Sequence, residues 1–144
     1  MSGRYTDLHA VLVTGSRNWT DPELIRERLS HYPAGTILIH GDCGEYSRTT
    51  GRVIRGADLL AAEVGEEDFG HIPLPMPPNY QAKGREAPKL RNKLMVEVLT
   101  RLRWCGYKVA AEAFPLPSSR GTWHTVRLVE TVGVKLTVTK PNEV

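Results

Sequence analysis

The sequence has few cysteines, no long apolar run and no strong excess of charge. Only Cys43 and Cys105 occur among its 144 residues, and they do not form a Cys-x-x-Cys pair. Two isolated cysteines do not make a disulfide framework, which favours a reducing compartment. No stretch approaches the roughly 20 apolar residues of a membrane-spanning helix, and residues 1–9 are polar. We therefore predict a cytoplasmic protein without a membrane partner.

Two common phosphate-binding motifs are also missing. Neither Gly-x-x-x-x-Gly-Lys-Ser/Thr nor Gly-x-Gly-x-x-Gly occurs, which argues against a P-loop NTPase and an ordinary dinucleotide dehydrogenase. The net charge of +3 suits an anionic ligand and permits nucleic acid. No stripe of basic and aromatic residues supports single-stranded DNA binding. The length favours a single domain over residues 1–144.

Apolar runs alternate with helical patterns along the chain. The runs predict five strands, at 10–15, 36–39, 71–74, 108–114 and 134–138. The helical patterns predict four helices, at 22–32, 56–63, 86–104 and 121–131. Residues 43–55 are rich in Gly, Ser, Thr and Arg, which predicts an irregular loop. Residues 75–81 are predicted as a further loop.

This alternation predicts an α/β fold, a Rossmann-like three-layer sandwich around a five-stranded parallel sheet. Right-handed crossovers make the strand order 3-2-1-4-5 the most economical. In that order the chain reverses direction between strands 1 and 4, and open α/β sheets bind ligands at such a switch point. The loops at 15–20 and 115–122 should meet there.

Both loops carry groups that suit a phosphate. Gly15, Ser16 and Arg17 follow the first strand, and residues 118–122 (Ser-Ser-Arg-Gly-Thr) precede the last helix. Backbone N–H groups at a helix N-terminus attract anions, and arginine recognises phosphate oxygens in a bidentate manner. Taken singly, each loop is more typical of a turn or a helix cap than of a ligand site. Together at one switch point they predict an anionic ligand.

Other residues have both a functional and a structural interpretation. His40, Asp42 and Cys43 resemble metal ligands, but adjacent side chains on an extended chain point apart, so we predict no metal. Arg91 and Asn92 lie on the long helix. They are interpreted either as a second source of contacts to a phosphate or ribose, or as part of a solvated helix face. Tyr46 and Trp123 suit base stacking or ordinary packing. His124 is predicted on the surface of the last helix.

The motifs, in their order along the chain, resemble the SLOG superfamily of Rossmann-like proteins, which includes the lonely-guy phosphoribohydrolases and DNA-processing protein A. Within it, the chain is most similar to the small bacterial and phage YspA-like branch. The matching segments are Val13–Arg17, His40–Gly41, Arg55–Asp58, Arg91–Met95, Ala113–Phe114 and Ser118–Thr122.

The resemblance implies a nucleotide-derived ligand, namely a nucleoside monophosphate or an NAD- or ADP-ribose-like compound, and no cofactor. The ligand-binding residues that it implies are Gly15, Ser16, Arg17, His40, Gly41, Asp58, Arg91, Asn92, Ser118, Ser119, Arg120, Gly121 and Thr122.

Two departures from the family pattern bear on catalysis. The phosphoribohydrolases read Pro-Gly-Gly-x-Gly-Thr and then a catalytic Glu, whereas this chain has Ser118-Ser119 for the two glycines and His124 for the Glu. Arg91 matches their arginine, and the missing carboxylate would have to come from Asp42, Asp58 or Glu112. We therefore expect a sensor or sequestering protein. The alternative is an N-glycosidic hydrolase or transferase that uses Arg91 with Asp42 or Asp58, and single-stranded DNA binding ranks third.

The other departure is an insertion at residues 44–54. It is interpreted either as a lid over the ligand or as a tolerated surface loop. Similarly, the apolar face of helix 86–104 is a candidate surface for a homodimer as well as core.

Overall fold

Seven strands occur in residues 8–142, the part of the chain that this computed structural model describes. They are β1 (His9–Gly15), β2 (Ile37–His40), β3 (Glu45–Tyr46), β4 (Val53–Arg55), β5 (Ile72–Pro75), β6 (Lys108–Phe114) and β7 (Leu136–Val138). Residues 1–7 and 143–144 lie outside the described range, which therefore includes only the end of the predicted polar segment 1–9.

Five of these strands form one parallel sheet in the order β5-β2-β1-β6-β7. The predicted α/β class with a five-stranded parallel sheet is confirmed. The five predicted strands correspond to β1, β2, β5, β6 and β7, and counted among themselves they lie in the predicted order 3-2-1-4-5. The strand numbers of the full chain differ from the prediction because β3 and β4 intervene between the second and third of them. These two strands pair with each other in an antiparallel hairpin.

Helices cover both faces of the sheet. They are α1 (Pro22–Leu29), α2 (Ala57–Phe69), α3 (Tyr80–Lys83), α4 (Ala87–Trp104) and α5 (Arg120–Thr131), with a 3₁₀ turn at Gly84–Glu86. Val11 and Val13 of β1 belong to the core beneath α1 and α2. Ala10 and Leu12 point to the other face and belong to the core beneath α4 and α5.

The sequence explains why β1 lies at the centre. Residues Ala10 to Val13 are all fully buried, and a strand covered on both faces must be apolar at every position. The loop after β1 leads into α1, where the Asp21 side chain caps the helix by accepting a hydrogen bond from Glu23 N at 2.9 Å. Pro22 then occupies the first turn, where its missing N–H is harmless.

Three predicted segments were wrong in detail. The irregular loop at 43–55 contains the β3–β4 hairpin, and the predicted loop at 75–81 already contains the start of α3 at Tyr80. The second helix continues to Phe69, where Gly70 ends it with a left-handed backbone conformation, and on its exposed face Glu67 pairs with Arg52 of the hairpin at 2.6 Å.

The long helix α4 divides its apolar residues between core and surface. Met95, Val96 and Leu99 are buried against the sheet, while the exposed fractions of Leu90 and Leu94 are 42% and 50%. The homodimer surface stays a prediction. Among residues 8–142, no helix is long and apolar enough to cross a bilayer.

Candidate functional site

A cavity of about 300 Å³ lies at the carboxyl ends of β1 and β6, the predicted switch point of the sheet. The loop after β1, the first turn of α2, the helix α4 and the N-terminus of α5 all contribute to its walls. Its lining residues are Thr14–Asn18, Cys43, Asp58, Tyr80, Pro88, Arg91, Asn92, Met95 and Ser118–Thr122. The structure thus brings both predicted loops to one site.

The loop after β1 is fixed by backbone contacts to its neighbours. Ser16 N donates to Phe114 O at 3.0 Å, and Ser16 O accepts from Ala57 N at 3.0 Å. A Cβ atom at Gly15 would lie 2.4 Å from Ala57 Cβ and 2.8 Å from Phe114 O, so only glycine fits between these two elements. This close packing leaves the exposed side chain of Arg17 at the cavity rim.

The N-terminus of α5 forms the opposite wall. Its preceding residue, Ser119, does not cap the helix, because the Ser119 hydroxyl accepts instead from Leu116 N at 2.9 Å. Among residues 8–142, the N–H groups of Gly121 and Thr122 form no hydrogen bond. Free N–H groups at a helix N-terminus carry partial positive charge and attract anions.

Asp58 is the buried carboxylate of the cavity. It lies in the first turn of α2 with an exposed fraction of 5%, and its Oδ2 accepts from Gly41 N at 3.1 Å and Cys43 N at 3.3 Å. Its Oδ1 has no hydrogen-bond partner in the described part of the chain. Burial raises the pKa of the Asp58 carboxyl to about 7, while the nearby Arg91 guanidinium and the two N–H groups oppose this rise.

Arg91 also lines the cavity, but its guanidinium is largely occupied by protein acceptors. Nη1 donates to the carbonyls of Gly41 and Met76, and Nε donates to Asn92 Oδ1 at 2.9 Å. Nη2 lies 3.8 Å from Cys43 Sγ. Since arginine has five N–H donors in all, few remain for a ligand. Arg91 therefore orders the wall of the site and has little capacity to hold a phosphate.

His40 and Asp42 were predicted in the site, but the structure places them outside the cavity. They line a separate depression together with the acidic side chains of Glu63, Glu66 and Glu67. His40 Nδ1 accepts from Asp42 N at 3.0 Å, and burial lowers the pKa of His40 to about 4, so its imidazole is neutral at pH 7. Gly41 contributes through its backbone, which bonds both Asp58 and Arg91.

Glu112, the third candidate carboxylate, does not reach the cavity. It is fully buried on β6 and binds Arg28 through both carboxylate oxygens, at 2.9 Å and 3.0 Å. Of the three candidates for the missing carboxylate, only Asp58 lines the cavity.

Position 124 has a structural partner. His124 is half-buried on α5, and its Nδ1 lies 3.1 Å from the side-chain nitrogen of buried Asn92. Burial lowers the pKa of His124, and the neighbouring cations Arg127, Lys89 and Lys93 lower it further. A neutral imidazole that accepts from Asn92 holds α5 against α4.

The inserted segment 44–54 contributes no lining residue to the cavity in the described part of the chain. Its Arg52 binds Glu67 through two hydrogen bonds, at 2.6 Å and 3.0 Å, which attaches the hairpin to α2. Tyr46 is exposed on the hairpin, and Trp123 lines a depression beside the cavity with Arg120 and Arg127. Gly44 and Glu45, at the start of the segment, border a depression together with Arg17 and Tyr80 of the cavity, so the lid and the surface insertion both stay predictions.

Sequence reasoning missed several lining residues. Tyr80 belongs to α3, a helix that was predicted as loop, and Cys43 was considered only as a metal ligand. Within residues 8–142, no three His, Cys, Asp or Glu side chains are close enough to hold a metal ion. In comparisons with known proteins, no family model matches the chain, and no curated protein matches it.

Proposed function

We propose that the chain binds a phosphate-bearing, nucleotide-derived small molecule in the cavity at the ends of β1 and β6, as a sensor or sequestering protein. One observation carries the proposal: the unpartnered N–H groups of Gly121 and Thr122 share this cavity with two exposed cations, Arg17 and Arg120. Neither cation has a carboxylate partner within residues 8–142. Together these groups form an anion site built from N–H donors and arginine.

The size of the cavity narrows the ligand class. Small-molecule pockets span roughly 300–1,000 Å³. A volume of about 300 Å³ lies at the lower end of this range and favours a mononucleotide over an NAD-sized dinucleotide. The SLOG-like motifs support the same class, because they include both of the loops that line the cavity.

Truncating the two cations tests the proposal. We expect Arg17→Ala and Arg120→Ala each to weaken binding of a nucleoside monophosphate by about tenfold, because a hydrogen bond to a charged group contributes about 1.5–3 kcal/mol. Isothermal titration calorimetry with AMP, GMP, CMP, UMP and ribose 5-phosphate measures this change.

The matched control is Arg101→Ala, which removes the same charge from the exposed part of α4, where Arg101 faces Glu97 at 3.5 Å. The affinity of this variant for the nucleoside monophosphates should equal that of the wild type. Equal losses of affinity in all three variants would mean that the net charge of the protein, and not the position of the arginine, determines binding. An absence of binding to every compound would contradict the proposal.

A second function is favoured by the presence of Asp58 and Arg91 in one cavity. A carboxylate there can take a proton from water, which attacks C1′ of a bound nucleotide while the C1′–N bond breaks. The departing base takes this proton from Asp58, and ribose 5-phosphate remains. Release of free base, measured by chromatography and abolished by Asp58→Asn, would identify this N-glycosidase; binding without base release favours the sensor.

A further inference from the structure

Asp58, one of the residues that line the cavity proposed for the ligand, has a buried carboxylate oxygen, Oδ1, without a hydrogen-bond partner in residues 8–142. Buried polar atoms are nearly always hydrogen-bonded, and an unpaired buried acceptor carries a desolvation cost of about 1–3 kcal/mol. Oδ1 is one of two buried side-chain atoms without a partner in residues 8–142, and the other, His71 Nδ1, does not line this cavity. A buried acceptor without a partner, on a residue that lines the cavity, is an acceptor that a ligand donor would satisfy.

The neighbouring protein donors are already used. Gly41 N and Cys43 N both bond Oδ2, the other oxygen of the same carboxylate. Arg91 directs its donors to the carbonyls of Gly41 and Met76 and to Asn92, and forms no ion pair with Asp58 within 4.0 Å. Asp58 is therefore held in the cavity wall by its Oδ2 bonds, and the described part of the chain offers its buried Oδ1 no donor.

Asp58 and the proposed phosphate position belong to different elements of the cavity wall. It is bonded to the loop after β2, whereas Gly121 and Thr122 follow β6, and β1 separates these two strands. Neighbouring strands are about 4.8 Å apart, so the loop after β2 and the start of α5 are separated by roughly 10 Å. Ala57, the residue before Asp58, bonds Ser16 of the loop that lies between them. A mononucleotide with its phosphate at α5 extends toward Asp58 with its sugar or its base.

We propose that Asp58 Oδ1 accepts a hydrogen bond from an O–H or N–H group of the bound nucleotide, so that the site selects phosphate compounds by this second group. The inference rests on the proposed function. The shared chemistry is a single hydrogen-bond donor, which is either a ribose hydroxyl or an amine of the base. A phosphate ester without such a donor leaves the carboxylate unpaired and binds more weakly.

The same contact makes binding depend on pH. The charged or titratable groups around Asp58 are Arg91 from α4 and Asp42 and Cys43 from the loop after β2. The pKa of the Asp58 carboxyl is raised to about 7 in the empty site, and a ligand donor favours the ionised form. Binding therefore releases a proton, and affinity should rise with pH between about 6 and 8.

The experiment compares ligands that differ by one donor. AMP is titrated against its 2′-deoxy and 3′-deoxy forms and against purine riboside 5′-monophosphate, which has no exocyclic amine, with inorganic phosphate as the minimal probe. We expect at least one of the three analogues to bind wild type about tenfold more weakly than AMP. The analogue that binds more weakly than AMP identifies the group of AMP that donates the hydrogen bond.

The variant Asp58→Asn should abolish this discrimination. Its amide oxygen can keep the bonds from Gly41 and Cys43, while its NH₂ faces the donor of the ligand. AMP and the weak analogue should then bind alike, affinity for inorganic phosphate should stay unchanged, and the part of the pH dependence due to Asp58 should disappear. Glu66→Gln, an exposed acid on the same helix, is the control and should behave as wild type.

Thermal unfolding of Asp58→Asn checks that the variant is folded. If inorganic phosphate binds and all four nucleotides bind wild type within twofold of one another, the inference about Asp58 is wrong and the phosphate site stands. If Asp58→Asn keeps the discrimination between analogues, the inference is also wrong. If neither phosphate nor any nucleotide binds, the proposed function and this inference both fail.

Discussion

Replacing Glu112 by alanine is expected to lower the free energy of unfolding by about 3 kcal/mol, the low end of the cost of breaking a buried ion pair. Glu112 is fully buried on β6 and accepts hydrogen bonds from both Arg28 and Tyr32. The Tyr32 hydroxyl donates to Oε2 at 2.6 Å. Burial is the main cause that raises the pKa of Tyr32, and this hydrogen bond is the second. Without the carboxylate, Arg28 on α1 and Tyr32 just after it, both partly buried, lose their hydrogen-bond acceptor.

Urea denaturation followed by circular dichroism measures the change. Since small domains have a total stability of about 5–15 kcal/mol, a loss of this size would displace the transition clearly. The control is Glu97→Ala, because Glu97 forms an exposed pair with Arg101 at 3.5 Å, which should contribute less than about 1 kcal/mol. Equal effects of the two substitutions would show that Glu112 does not anchor α1 to the sheet.

Adding a methyl group at Gly41 is expected to disrupt the proposed ligand site. A Cβ atom there would lie 2.6 Å from Arg91 Nη1 and 2.9 Å from Asp58 Oδ2, so one of these side chains must move. We expect Gly41→Ala to lower stability by about 1–3 kcal/mol and to weaken nucleotide binding at least about tenfold. Thermal unfolding and calorimetry with AMP measure the two effects separately.

The clash can be isolated by a double-mutant cycle with Arg91→Ala. Removing the guanidinium relieves the closest contact, so Gly41→Ala should cost less stability in the Arg91→Ala background than in wild type. Additive costs would mean that the two residues do not interact, and would contradict the described packing of this wall.

The features that the sequence could predict are local or periodic. The uninterrupted apolar run of β1 indicates a strand covered on both faces, and Asp21-Pro22 marks the start of a helix. The two phosphate-type loops could be paired because topology alone brings the carboxyl ends of neighbouring strands together. These rules were enough to place Gly15–Arg17 beside Ser118–Thr122.

The remaining features depend on contacts between residues far apart in the chain. Glu112 meets Arg28 across 84 positions, and no local pattern distinguishes this buried carboxylate from a catalytic one. Asp58 differs from Asp42 only because two backbone N–H groups of a distant loop bind it inside the cavity. The β3–β4 hairpin was missed because its strands are short and mostly exposed, without the alternation that identifies a half-buried strand.

The backbone amides of Gly121 and Thr122 offer the most direct test of the proposed phosphate site. In a ¹H–¹⁵N correlation spectrum of the full chain, their resonances should shift and saturate as AMP is added, together with that of Arg17 from the loop after β1. Saturating shifts confined to other surfaces, or no shifts at millimolar AMP, would contradict a phosphate site at the N-terminus of α5.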